Sequence, residues 1–281
     1  DLDSFAGDRI ALSFRSRVDV TAGLLAPQVV WSRPTVVYRD QTKGLPPSFA
    51  LLLADSLRAE SLGCCGSQRN TSPYLDKLFG KEGLVFDHAL TQAADTRAST
   101  MSLFTATYPS AHGVLSPRRM LARGAFTLAE AMSEAGYATA AFCEGGELAA
   151  ELGFDRGFDV YYQAPEVDPW NTEGRSAALL TRMLEWLERH AGEPRLAFFH
   201  SYDIGWPYLP DAAHVGLFGE KRLDRGSRTD HAALVRYERE VRGFDDTMRD
   251  FVGRLDKVTD PSRLLLVLSS AHGEEFGEHG A

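Results

Sequence analysis

The chemistry-bearing residues of this chain gather at the ends of apolar runs. Near its end stands "LLLVLSSAHGEEFGEHG", Leu264 to Gly280, where an apolar run stops at small polar residues and releases His272, Glu274 and Glu275. A buried parallel strand delivers side chains to a site in this way, at its carboxyl end. A histidine there can ligate a cation or move a proton. "FALLLA", Phe49 to Ala54, is followed at once by Asp55, a position suited to a metal ligand and equally to a helix cap. "TQAADTRASTMSLFTATYPSAHGV", Thr91 to Val114, sets Asp95, Thr96, Ser99 and Thr100 ahead of apolar residues, where a helix should begin. A helix N-terminus favours anions and can stabilise an alkoxide. Thr96 could then act as a nucleophile if a metal or base lowers the pKa of its hydroxyl. The plainer reading of these hydroxyls is capping. His112 in the same stretch either faces such a site or packs at a helix end.

The elements that must position these residues alternate between strand and helix. "SPYLDKLFGKEG" offers Ser72 as N-cap, Pro73 in the first turn and Gly83 as the stop. "TLAEAMSEAGYATAAFC" reads as a helix closed by Gly136 and a strand into Cys143. In "AALLTRMLEWLERHAG" Leu180, Met183, Leu184 and Leu187 share one helical face, and "RLAFFHSY", Arg195 to Tyr202, reads as a buried strand around His200. Leu234, Tyr237, Val241, Phe244, Met248, Phe251 and Leu255 mark a long helix that feeds the last strand, Leu264 to Leu268. The charges from Arg236 to Arg242 read as its solvated face. This order predicts an α/β fold, a doubly wound and mostly parallel sheet with helices on both faces. Asp55, the His200–Asp203 stretch and His272 then belong to strand ends that can converge.

The chain has 281 residues, 44% of them hydrophobic, room for one large α/β domain or two small ones. Its net charge of −9 argues against a nucleic-acid surface, so no nucleic-acid partner is expected. No apolar stretch is long enough to span a bilayer. The three cysteines, Cys64, Cys65 and Cys143, form no disulfide framework, because neighbouring cysteines pair only with strain; they read as small hydrophobes. Residues 1–47, which end in the turn-like "KGLPPS", read as an arm or linker, and 48–281 as the α/β domain.

Six stretches in order make the chain resemble the sulfatase family of the alkaline-phosphatase superfamily. They are "LLLADSLRAESLGCCG", "TSPYLDKLFGKEGLVFDHAL", "SLFTATYPSAHGV", "GFDRGFDVY", "RYEREVRGFDD" and "LSSAHGEEFGEHG". The resemblance runs from about Phe49 to the end and implies that fold, continued past Ala281 by a part this chain lacks. It also implies hydrolysis or transfer of a sulfate or phosphate ester on a small molecule, glycan or lipid headgroup. The family's cofactor is a divalent metal, one of Ca, Mn, Mg or Zn. On the resemblance Asp55, Thr96 and His272 match metal positions, Thr96 and His272 also catalytic ones, and Ser99, Thr100 and His112 substrate contacts. It further suggests an extracytoplasmic or membrane-anchored place, with any anchor outside this chain.

The departures from the family pattern are as informative. Thr96 stands where true sulfatases carry the Cys or Ser converted to formylglycine, a conversion closed to Thr. A Thr nucleophile is the habit of relatives that transfer phosphoglycerol or phosphoethanolamine, such as lipoteichoic acid synthase. Ser56 replaces a second metal Asp, Thr100 an Arg that supports the nucleophile, Gly205 a substrate-binding His, and Ala271 the Asp at the last strand's tip. A methyl cannot coordinate a metal. The expectation is a weak or inactive site, with Asp203, Glu274 and Glu275 as replacement ligands in the alternative, an active enzyme using Thr96. Glu278 and His279 would line the rim, and Trp206 and Tyr208 either stack on substrate or pack in the core.

Overall fold

Five apolar runs become the strands of one sheet. The computed structural model describes residues 46–115, 119–122, 124–165, 174–219 and 231–278. Strands β1 (Ser48–Ala54), β2 (Ala138–Cys143), β3 (Val160–Gln163), β4 (Arg195–Ser201) and β5 (Leu264–Ser269) pair in the order β3-β2-β4-β1-β5, every pair parallel. Residues 1–45, most of the expected arm, lie outside the described residues. Among the described residues no helix is long and apolar enough to cross a membrane.

Helices cover both faces, as the alternation predicts. They are α1 (Pro73–Leu78), α2 (Thr96–Thr105), α3 (Pro109–His112), α4 (Leu128–Glu134), α5 (Arg175–Arg189) and α6 (His231–Val258). Side chains alternate across a strand, so β1 divides its residues between two cores. Ala50, Leu52 and Ala54 pack with Leu180, Met183 and Leu187 of α5 and Tyr237, Phe244 and Phe251 of α6. Leu51 and Leu53 pack on the other face with Met101 and Phe104 of α2, Phe154 and Phe198. A strand buried on both faces needs apolar residues throughout, and "FALLLA" supplies them.

Some expectations need correction. α1 ends at Leu78 and does not reach Gly83. Ser72 holds the N-cap position as expected, but its hydroxyl makes no capping bond and instead donates to Asp76 Oδ1 and accepts from the Gly63 N–H. The capping role passes to fully buried Asp245 of α6, whose carboxylate accepts from the N–H groups of Tyr74 (3.1 Å) and Leu75 (2.8 Å). Asp245→Ala should therefore cost about 2–3 kcal/mol in urea unfolding, because one buried and one part-buried donor lose a charged acceptor. The solvated face read from Arg236 to Arg242 is mostly wrong. Arg236, Glu238, Arg239 and Glu240 are buried, since the segments before α1 and after β4 fold over that face of α6. Charge alternation marks solvent only where nothing packs on it.

Candidate functional site

The carboxyl ends of β1, β4 and β5 and the start of α2 open onto one cleft of about 470 Å3, lined by Asp55, Ser56, Ala94, Thr96, Tyr202, Ile204, Gly205, Trp206 and the His272–Glu275 stretch. β1 lies between β4 and β5 in space but far from both in sequence, and such a reversal of strand order opens a crevice. Asp55 is fixed by its N–H, which donates to Ser201 O at 2.9 Å. α2 is fixed at its start by Asp95, whose side chain accepts from the Ala98 N–H. Burial of Ala98, Met101 and Phe104 on one stripe then turns Thr96, its first residue, into the cleft.

Three side chains meet there. Thr96 Oγ1 donates to Asp55 Oδ2 at 2.6 Å and stands 3.3 Å from His272 Nε2. His272 Nε2 is 3.4 Å from Asp55 Oδ1. His272 Nδ1 is 2.6 Å from Gly273 O, and a carbonyl only accepts, so Nδ1 carries the proton. In the neutral imidazole Nε2 then presents a lone pair to the cleft. Asp55 Oδ1 is buried and receives no hydrogen bond. Burial raises the Asp55 pKa, while His272, the Thr96 hydroxyl and the Ser56 N–H hold it down. An orphaned carboxylate oxygen, an imidazole lone pair and a hydroxyl oxygen facing one another fit a cation. Only two of the three are ligands without prior deprotonation. Among the described residues no cluster of three His, Cys, Asp or Glu side chains could hold a metal ion.

The departures sit around this centre. Ala271 is buried, its side chain packed in the apolar cluster of Leu53 and Met101, while its carbonyl accepts hydrogen bonds from Ser99 Oγ and from Thr91 Oγ1 at 2.6 Å. Ser56 has φ 56° and gives its carbonyl to Tyr237 Oη at 2.7 Å. Gly205 has φ 143°, a conformation that favours glycine, and a Cβ there would stand 3.3 Å from Ser56 Oγ. α6 holds this wall: Glu240 Oε2 accepts from the Gly205 N–H at 3.0 Å, and His214 bridges Asp211 (2.5 Å) and Asp246 (2.9 Å). These carboxylates raise the His214 pKa despite its burial.

Other expected contacts are not brought to the cleft. Ser99 is spent on Ala271 O, and Thr100 is fully buried. His112 is 2% exposed, with Nε2 3.0 Å from Ser102 Oγ and Nδ1 accepting from the Val114 N–H, so its helix-end reading fits and its substrate role does not. Glu274, Glu275 and half-exposed Trp206 do line the cleft, whereas Tyr208 is core. Asp203 belongs to a separate polar cluster with Glu144, Ser176 and Ser201. Glu278 pairs with Arg58, and His279 lies outside the described residues. His200 is buried, and among the described residues neither ring nitrogen has a hydrogen-bond partner; burial pushes its pKa down to about 3. His200→Leu should therefore raise stability by about 1 kcal/mol, seen as a higher melting temperature. Sequence reasoning missed Thr91, Tyr202 and Ile204. The first was hidden in a loop, the others in a stretch read only as strand end.

Comparison with known proteins agrees with this architecture. The sulfatase family profile matches residues 47–281. Mouse (Mus musculus) steryl-sulfatase is 28% identical over 139 residues, 43% of this chain and 22% of that protein. The C-terminal periplasmic domain of EptC from Escherichia coli, solved with Zn, superposes with TM-score 0.67 at 18% identity, covering 85% of this chain and 67% of that one. Phosphonate monoester hydrolase of Agrobacterium radiobacter gives 0.66 at 17% identity, covering 84% and 64%. This chain thus spans under a quarter of the curated relative and about two thirds of the solved ones. The parallel sheet, the converging strand ends and a family match over most of the sequence lead to one conclusion: the chain belongs to the sulfatase family.

Proposed function

We propose that the chain is a sulfatase-family ester site in which the metal centre has been depleted, leaving weak or no turnover of sulfate or phosphate esters. One observation carries this reading: the position expected to supply an anionic oxygen, Ala271, turns a methyl into the apolar core. Of the three side chains that meet there, Asp55 and His272 are then the two that bind without first losing a hydroxyl proton. Asp55, His272 and, once deprotonated, Thr96 would hold a divalent ion of the Ca, Mn, Mg or Zn kind. Such an ion would offset negative charge on the transferring group. The cleft's own residues do the rest. Thr96 Oγ1 would attack sulfur or phosphorus while the bond to the ester oxygen breaks, the hydroxyl proton passing to Asp55 Oδ2 and the departing alkoxide leaving as the alcohol with a proton from solvent. The first turn of α2 would favour the developing anion. Glu274 and Glu275 oppose an anionic ester on the same wall.

The 2.6 Å bond from Thr96 to Asp55, at a helix N-terminus and beside His272, favours a second reading, an active hydrolase or transferase using Thr96. Glu274 and Glu275 would then serve as substitute ligands. A small molecule, glycan or lipid headgroup carrying the ester is the substrate class on either reading. The test measures bound divalent metal and the hydrolysis of aryl sulfates and of phosphate mono- and diesters, with Thr96→Ala as the blank. Sub-stoichiometric metal and rates equal to that blank are expected. Tight one-to-one metal with Thr96-dependent turnover would establish the second reading instead.

A further inference from the structure

A second place for a metal lies outside the cleft, in the turn after Leu62. Cys64 and Cys65 are adjacent and both free, Cys64 half-buried and Cys65 exposed. Their Sγ atoms are 3.9 Å apart. Neighbouring Cα atoms stand about 3.8 Å apart across a trans peptide, inside the roughly 4.4 Å minimum that an unstrained disulfide prefers. The pair is therefore poised as a dithiol. Two thiolates on one tetrahedral ion, with metal–sulfur bonds of about 2.3 Å, stand about 3.8 Å apart. The observed separation already matches that bite.

The turn is also held firmly. The Cys64 N–H donates to Asp76 Oδ1 at 2.8 Å, the Gly63 N–H donates to Ser72 Oγ at 2.9 Å, and Ser72 Oγ donates to Asp76 Oδ1 at 2.8 Å. Burial, Cys65 and Asp76 together push the Cys64 thiol up to about 12. The negative neighbours that disfavour a lone thiolate attract a cation shared by both sulfurs, and a coordinating thiol gives up its proton to such an ion. Soft thiolates select soft metals over the hard ions a carboxylate centre takes. The reading of both residues as packing hydrophobes does not fit an exposed Cys65.

We propose that Cys64 and Cys65 form a two-sulfur surface site that chelates one soft divalent metal ion, with water completing its coordination. Two S–H bonds break, two metal–sulfur bonds form, two protons leave to solvent, and nothing is oxidised or reduced. The site does not depend on the ester-site reading.

Titration of the reduced chain with Cd2+ tests it. One ion per chain is expected, with a sulfur-to-cadmium charge-transfer band in the ultraviolet that is absent from both Cys64→Ser and Cys65→Ser. Buried Cys143 serves as the silent third thiol. Cys65→Ser alters an exposed side chain, so an unchanged melting temperature keeps that arm sound even if Cys64→Ser folds poorly. Absence of the band, its survival in either variant, or one ion bridging two chains in native mass spectrometry would overturn the proposal.

Discussion

Ala271→Asp is expected to bind a divalent ion stoichiometrically where the unaltered chain does not, and to make stability depend on the metal. Position 271 is 1% exposed and packed among Leu53, Met101 and Phe198. A carboxylate installed there without a cation is a buried anion in an apolar cluster, so in excess chelator the variant should be less stable by a few kcal/mol. With the ion present that same carboxylate, next in sequence to His272, is expected to turn from the apolar cluster and join Asp55 and His272 as a third ligand. Saturation at about one hundred times the dissociation constant returns about 2.7 kcal/mol. The unaltered chain should show little shift between chelator and metal. Melting curves in both conditions, with metal content by mass spectrometry, read the difference directly. Turnover gained by the variant should disappear on adding Thr96→Ala. A variant as indifferent to metal as the parent would mean that Ala271 does not explain the depletion.

Much of this was legible in the sequence because buried parallel strands cannot disguise themselves. "FALLLA" and "RLAFFHSY" are apolar on both faces, and each becomes a central strand whose tip reaches the cleft or its wall. Asp55, Thr96 and His272 were visible as polar residues at the ends of such runs, and the structure brings those three together. What the sequence hid was decided by tertiary packing. β3 has four residues, too few for a periodicity, and owes its place to pairing with β2. The charges of α6 looked solvated because their partners, Arg69 and the loop after β4, are distant in sequence. Ser99 looked free for substrate because nothing local shows that it is used by a carbonyl 172 positions away.

The second large effect concerns pH, and it arises from the acid cluster beside the cleft. At the end of β2, buried Glu144 accepts from Ser176 Oγ at 2.9 Å, and Ser176 Oγ is 2.6 Å from Ser201 Oγ. Ser201 Oγ in turn accepts from the Asp203 N–H at 2.9 Å. Arg175 Nη1 is 3.7 Å from Glu144 Oε2, its nearest cation. Burial, and then Glu144, push the Asp203 carboxyl up to about 7, and burial raises Glu144 as well. An acid whose pKa is higher folded than unfolded binds its proton more tightly in the native state. The stability this confers is complete below the unfolded value near 4, drains away as pH rises, and is gone above about 7. Asp203→Asn keeps a neutral, hydrogen-bonding side chain at every pH. The stability difference between variant and parent should therefore grow from pH 4 to pH 7 in the variant's favour, reach a few kcal/mol, and then level. His214 titrates in the same direction but is the same in each protein and cancels in the difference, whereas Glu240, which the Asp203 charge also raises, is relieved by Asp203→Asn and adds to the difference with the same sign. Glu144→Gln should act as a second lever, lowering the pH at which the Asp203 contribution is lost by removing its charged neighbour. A difference curve flat from pH 4 to pH 8 would mean that Asp203 ionises as freely folded as unfolded, and that the hydroxyls of Ser176 and Ser201 stabilise its anion well enough to offset burial.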